Sequence, residues 1–473
     1  MTAGISNRAV VAGADRHSRR LRVSGDALPI YKGPFGPEQA ERLLWRAGFG
    51  PRPGEVTHLA TYDLRRAVLS LTRPARVTLE GPAPVVQDGQ PIAPDEAPGH
   101  EILWWLDRMV RTTAPLIERM TLIWHDWFAT SYIGVGSQSL MIAQNQTLRR
   151  FCLGNFGELL REITVDPAML VFLSGVLSKK DTPNENYARE MQELFTLGVN
   201  GGYSERDVRE QARALTGWTC TWNPFTKENK DFRFDLTLHD PGVKVIYGHR
   251  GRFGWRDSVR LALAHSSHPG HFVRRLWSYF SPEPLSAGDA RTAERLYVAS
   301  KFQIRPVVEA MLMHPLVYEG PRMVKPPIVQ IAGMLRAIGR YIDIDSWIRQ
   351  SEITGQMPFY PPNVAGWEAS RWLNTGTWLA RFNLAGIMID EQRTLVPRDA
   401  AGTLPAEPNA LLEKASAFWA SPTLSDATRA VLLSYARTVL DSAVGQAQRE
   451  QFPVLAVNGL RTLVVASPDY HTS

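Results

Sequence analysis

Asn186, Arg189, Glu190 and Glu193 stand at i, i+3, i+4 and i+7, so a helix would set an amide, a guanidinium and two carboxylates on one stripe. Two carboxylates in unequal surroundings can divide acid and base work. The partly desolvated one keeps its proton as general acid, and the other stays ionised as base. Glycoside hydrolysis uses that division. Arg189 and, further along, Lys244 would hold an acidic substrate or keep one carboxylate ionised. The same stripe equally fits a solvated helix face with a weak Arg189–Glu193 pair.

Other candidate groups also carry two readings. His125 lies between Trp124 and Trp127 in TLIWHDWFATS. It reads as a catalyst or as a buried, hydrogen-bonded core residue, and Asp126 and Arg119 share that ambiguity. His239, Asp240 and Lys244 sit where a strand meets a turn, a loop edge suited to function. The alternative is a turn in which Asp240 caps the backbone that follows. Asn363 lies in PPNVAGW, a loop stiffened by two prolines, with Trp367, Trp372 and Trp378 close behind. Tryptophans beside amides can stack on a pyranose, or can simply pack.

Zinc accepts the kind of ligand that His125, His239 and Glu190 or Glu193 supply, yet nothing in their spacing singles it out. Cys152 and Cys220 define neither a disulfide framework nor a metal site. No GxSxG, Walker A, HExxH or GxGxxG signature is present, and no metal or cofactor is assigned. GVNGGYSE (198–205) comes nearest to a phosphate loop, but it follows a helix and lacks the lysine.

The elements that must position these groups are mostly helical. Thr182 reads as an N-cap, Pro183 as the first helical residue, and Gly198 as the stop of a helix that buries Tyr187, Met191 and Leu194. Residues 1–34 read as a flexible basic leader, and the first helix starts at Pro37. Residues 72–99 are a Pro/Gly-rich surface loop. Apolar helical periodicity runs on from His100; Pro115 opens one helix, Ser204 caps another, and Ser286 caps the one from Ala287. Between 219 and 255 alternation replaces it and predicts a small hairpin or two. The chain therefore reads as mainly α, a single large multi-helix domain over 35–473 with a small β-rich excursion around 219–255.

With 44% hydrophobic and 21% charged residues, the chain is ordinary globular material. Its net charge of +6 is scattered, which argues against a nucleic-acid partner. No apolar run is long enough to span a membrane. The N-terminal residues lack an apolar signal core, which points to a cytoplasmic location.

Several segments together carry a family pattern: RLLWRAGFGPRPGEV (42–56), ERMTLIWHDWFATS (118–131), LRRFCLGNFGELLREITVDPAML (148–170), PNENYAREMQELFTLGVNGGYSERDVREQARALTGW (183–218), LHDPGVK (238–244), GQMPFYPPNVAGW (355–367) and NTGTWLARFN (374–383). Over roughly residues 35–470 the chain resembles the DUF1800 family of bacterial proteins. Members often carry export signals, a point on which this sequence departs from the pattern. Their genes often sit beside a gene of the DUF1501 family, related to sulfatases and alkaline phosphatases. The resemblance thus implies a DUF1501-type partner and assigns no catalytic residue. Two functions follow from the sequence. One is a hydrolase with a carboxylate and histidine cleft acting on a glycan. The other is a non-catalytic scaffold or binding protein working with a DUF1501-type partner.

Overall fold

The computed structural model describes residues 27–389 and 395–473, so most of the basic leader lies outside the described residues. What is described of it packs: Leu28 and Tyr31 are buried, and the Tyr31 amide donates to the Met313 carbonyl at 2.9 Å. The fold is mainly α, with two small two-stranded antiparallel sheets among the described residues. None of the described helices is long and apolar enough to cross a membrane.

Two apolar cores organise the helices. The first gathers side chains mostly from residues 28–71 and 116–318. The second joins helix His100–Arg111 to the C-terminal helices from Pro327 onward. Helix Pro115–Trp127 serves both, giving Met120, Ile123 and Trp124 to the first and Leu122 to the second. Pro115 opens this helix, as its fixed φ and missing N–H favour. Every side chain in it except Ile117 and Asp126 is buried, so any polar group here needs an internal partner.

The central helix starts later than its sequence suggests. Asn184, not Thr182, is the cap: its side chain accepts from the Asn186 amide at 2.9 Å and donates to the Leu173 and Ser174 carbonyls. Thr182 is taken up in a short bridge with Lys179. The α-helix runs Glu185–Glu190 and then widens to a π-helix, Met191–Thr196, before Gly198 ends it in a left-handed conformation at φ 87°. Ser204 follows with a full capping box through Asp207, and Ser286 caps Ala287–Ala299.

The β excursion forms as two hairpins. Strands β1 (Trp218–Asn223) and β2 (Glu228–Phe234) pair with an irregularity between Thr219 and Thr221. Strands β3 (Lys244–Ile246) and β4 (His249–Gly251) turn through Tyr247 and Gly248, both at positive φ, as a two-residue hairpin loop demands. Helix Glu205–Ala214 holds this second hairpin through its acids: Glu210 accepts from the Val245 amide and Asp207 from the Tyr247 amide.

Candidate functional site

The last carbonyls of any helix lack intrahelical donors, and the wide π turn leaves those of the central helix for side chains to claim. His271 Nε2 and Arg275 Nη1 both donate to the Leu194 carbonyl, at 3.0 and 2.6 Å. Trp127 Nε1 donates to the Phe195 carbonyl and His268 Nδ1 to the Thr196 carbonyl. Three of these donors come from one helix, His268–Ser278, which is thereby fixed against the end of the central helix. Arg275, a cation at that end, also complements its dipole.

Beside this junction opens a cavity of about 670 Å³. Glu193 enters it from the central helix, His271, Arg274 and Arg275 from the neighbouring helix, and Glu294 from the next. The Gly198–Gly201 turn, Ser266 and Ser267 complete much of the rim, and Ala365 reaches it from the PPNVAGW loop. The volume suits a small-molecule ligand.

The electrostatics are uneven across this wall. Arg189 forks onto Glu205 at 2.8 and 2.7 Å and reaches Glu193 more loosely at 3.5 Å. Burial, then the charge of Glu193, raises the proton affinity of Glu190, against the pull of Arg189. The Tyr203 hydroxyl is pushed up to about 12 by burial and by Glu193. His271 is held neutral: burial lowers it to about 4, and the two arginines beside it add to the shift. Since its Nε2 donates, its Nδ1 keeps a lone pair, and that atom faces Gly198. Arg274 and Glu294 make no ion pair among the described residues and are free to meet a ligand.

His125 and Asp126 do a different job: together they fasten the loop from 355 to 367. His125 is buried, its pKa lowered to about 3 by desolvation, and its Nε2 accepts from the Phe359 amide at 3.2 Å. Phe359 itself sits at φ 68°, a costly conformation for an aromatic residue that this hydrogen bond helps maintain. Asp126 accepts from the Trp367 amide at 2.7 Å and from the Tyr279 hydroxyl at 2.6 Å. Gly366, at φ 92°, lies so close that a Cβ there would collide with the Asp126 carboxylate. Gly366→Ala is therefore expected to cost on the order of 2–3 kcal/mol in urea denaturation, from strain and clash together. A loss within experimental error would show that the loop is not clamped.

The remaining sequence candidates divide similarly. Asn363 is exposed and closes a local turn onto the Ala365 amide. Trp367 packs its ring 5.5 Å from that of His125; Trp372 is buried, and Trp378 lies against His471. His239 Nδ1 donates to the Thr216 carbonyl. Asp240 receives Arg213 at 2.7 Å and the Gly242 amide at 2.7 Å, so it does cap the turn behind it. Burial raises its proton affinity, but Arg213, Gly242 and Lys244 outweigh that and hold it below the usual range. Lys244 is buried with its ammonium on the Asp240 and Gly242 carbonyls. Asn186 is exposed.

Of the sequence candidates, Glu193 alone lines the cavity; Glu190 and Arg189 precede it on the central helix without lining it, and the PPNVAGW loop reaches it through Ala365. The His239–Lys244 turn and His125 do not line it. No group of three His, Cys, Asp or Glu side chains among the described residues is placed to hold a metal ion. The sequence reading missed His271, Arg274, Arg275 and Glu294. The first three stand at i, i+3 and i+4, the same spacing rule that picked out the central helix.

The family model described as "Protein of unknown function (DUF1800)" matches residues 42–472. No curated protein and no solved structure matches the chain.

Proposed function

Because the chain belongs to the DUF1800 family, whose description names no activity, we propose from its geometry that it is a hydrolase acting on a hydroxyl-rich, glycan-like substrate in the cavity at the end of the central helix. One observation carries this reading: Glu193 shares that cavity with a second carboxylate, Glu294, and with an uncommitted guanidinium, Arg274. Carboxylates accept sugar hydroxyl protons while arginine and serine donate, which is the mixed demand a polyol makes.

In this reading Glu193, with Arg189 near it, is the base that takes a proton from the attacking water. The water oxygen bonds to the anomeric carbon as the glycosidic C–O bond breaks. The leaving oxygen takes a proton from the Glu190 carboxyl, whose proton affinity is raised and which stands three residues before Glu193 on the central helix. His271 is a positioning residue that sets the cavity wall.

The test is a screen of neutral and acidic glycosides followed by the Glu193→Gln, Glu190→Gln and Glu294→Gln variants. Glu193→Gln is expected to lower kcat/KM about 100-fold or more with an unchanged circular-dichroism spectrum. Full activity in the folded variant would end this reading. The second reading, a scaffold that docks a DUF1501-type partner, is favoured by a different observation. Leu373, Trp378, Leu379 and Phe382 are exposed together on and just before helix Thr375–Met388.

A further inference from the structure

A second cavity, of about 610 Å³, shares no lining residue with the first and lies between helices Phe156–Thr164 and Trp255–Ala264 and the turn at Lys301–Phe302. Its two kinds of lining differ sharply. The floor is apolar: Val259, Leu263 and Phe302. The rim is cationic, with Arg161, Arg256, Arg260 and Lys301 against one carboxylate, Asp257. Arg260 already shares that carboxylate at 3.1 Å. Arg161 spends one N–H on the Gly157 carbonyl, and Arg256 lies over the Trp255 ring at 4.2 Å. Neither these two nor Lys301 makes an ion pair among the described residues.

The backbone at the rim is held in an unusual shape. Lys301 and Phe302 are consecutive non-glycine residues at φ 56° and 65°. Asn155 Nδ2 donates to the Lys301 carbonyl at 2.7 Å, and the Phe302 amide and carbonyl are both hydrogen-bonded, to Tyr297 and Phe156. This arrangement leaves the Phe302 ring in the floor and the Lys301 side chain at the rim.

We infer that this cavity binds a small amphipathic anion, an apolar chain or ring ending in a carboxylate or phosphate. The apolar floor takes the body of the ligand. The three unpaired cations take its head, with the guanidiniums offering the forked donors that such oxyanions accept. A free phosphate would leave the floor in water, and a neutral alcohol would leave the cations unanswered. The inference is independent of the hydrolase reading.

Isothermal titration of the full chain with decanoate tests it, beside decanol, inorganic phosphate and vesicles of phosphatidylglycerol. Saturable 1:1 decanoate binding is expected, at least tenfold tighter than decanol, with no saturable phosphate binding. An Arg161→Gln, Arg256→Gln, Lys301→Gln triple variant is expected to lose tenfold or more in affinity while its melting curve is kept, and Glu193→Gln is expected to lose none. No saturable decanoate binding would overturn the inference. So would equal binding by the folded triple variant, or by decanol, or binding to the vesicles alone, which would make the cations a flat surface patch.

Discussion

Asp126→Ala is expected to lower the unfolding free energy by about 3–5 kcal/mol and to release the 355–367 segment. Its carboxylate answers two donors from distant parts of the chain, the Trp367 amide and the Tyr279 hydroxyl. It also sits near Arg119 and Arg275; burial lowers Arg119 to about 10, and Asp126 opposes that shift. Alanine leaves the donors without an acceptor and the cations without a counter-charge, and both penalties fall in a largely apolar setting. Asp126→Asn keeps an acceptor for Trp367 and a polar partner for Tyr279, so about half the loss is expected there. Chemical denaturation gives the magnitudes, and hydrogen exchange at residues 359–367 shows whether the loop has opened. Stability lost without faster exchange in that loop would mean that Asp126 supports the core and not the clamp.

The second large effect is a loss of stability in mild acid. His125, His268 and His471 are buried and neutral, lowered from 6.5 to about 3, 4 and 3 by desolvation above all. Below pH 6.5 the unfolded chain binds these protons and the folded chain does not, so each unit of acidification favours unfolding by about 1.4 kcal/mol per histidine. His271, lowered to about 4, adds as much as each of these, and by pH 4.5 the four together amount to roughly 11 kcal/mol. Asp107 and Asp166 act in the other direction, since burial holds both up to about 6 and protonating them on the way down relieves that strain. Their relief over the same range is about 4 kcal/mol, which leaves a net loss of about 7. Urea midpoints at pH 7.0, 5.5 and 4.5 would show it as a steady fall. A midpoint that stays level or rises toward pH 4.5 would contradict the buried, neutral state of these rings.

Much of the architecture was legible because local chemistry and tertiary structure agree. Ser204 and Ser286 cap where their hydroxyls predict, Pro115 opens its helix, and Gly198 ends the central one. The two hairpins fall inside the alternating stretch. The start of the central helix was misplaced because Thr182 and Asn184 are both good caps. Asn184 prevails through its extra bonds to Leu173 and Ser174, which no local rule contains. The π turn was invisible for the same reason: the donors that satisfy its carbonyls come from residues 127, 268, 271 and 275.

The candidate site was legible only in part. Glu193 was found because it shares a stripe with other charges. His239, Asp240 and Asn363 have residue types suited to chemistry, yet their polar atoms are spent on structure: His239 on the Thr216 carbonyl, Asp240 on Arg213 and the Gly242 amide, and Asn363 on the Ala365 amide. His271, Arg274 and Arg275 do not stand out in the sequence because their helix reads as apolar packing around Phe272, Val273 and Leu276. A helix can do both when its buried stripe and its cavity-facing stripe lie side by side.

The bonds that close the central helix at Leu194 also build one wall of the larger cavity. A molecule that fills this space therefore touches the same side chains that close the helix. Its affinity adds directly to resistance against heat, by about 2.7 kcal/mol when it is present at a hundred times its dissociation constant. Compounds that occupy the cavity can thus be recognised from a shifted melting curve in a mixed library, by binding alone.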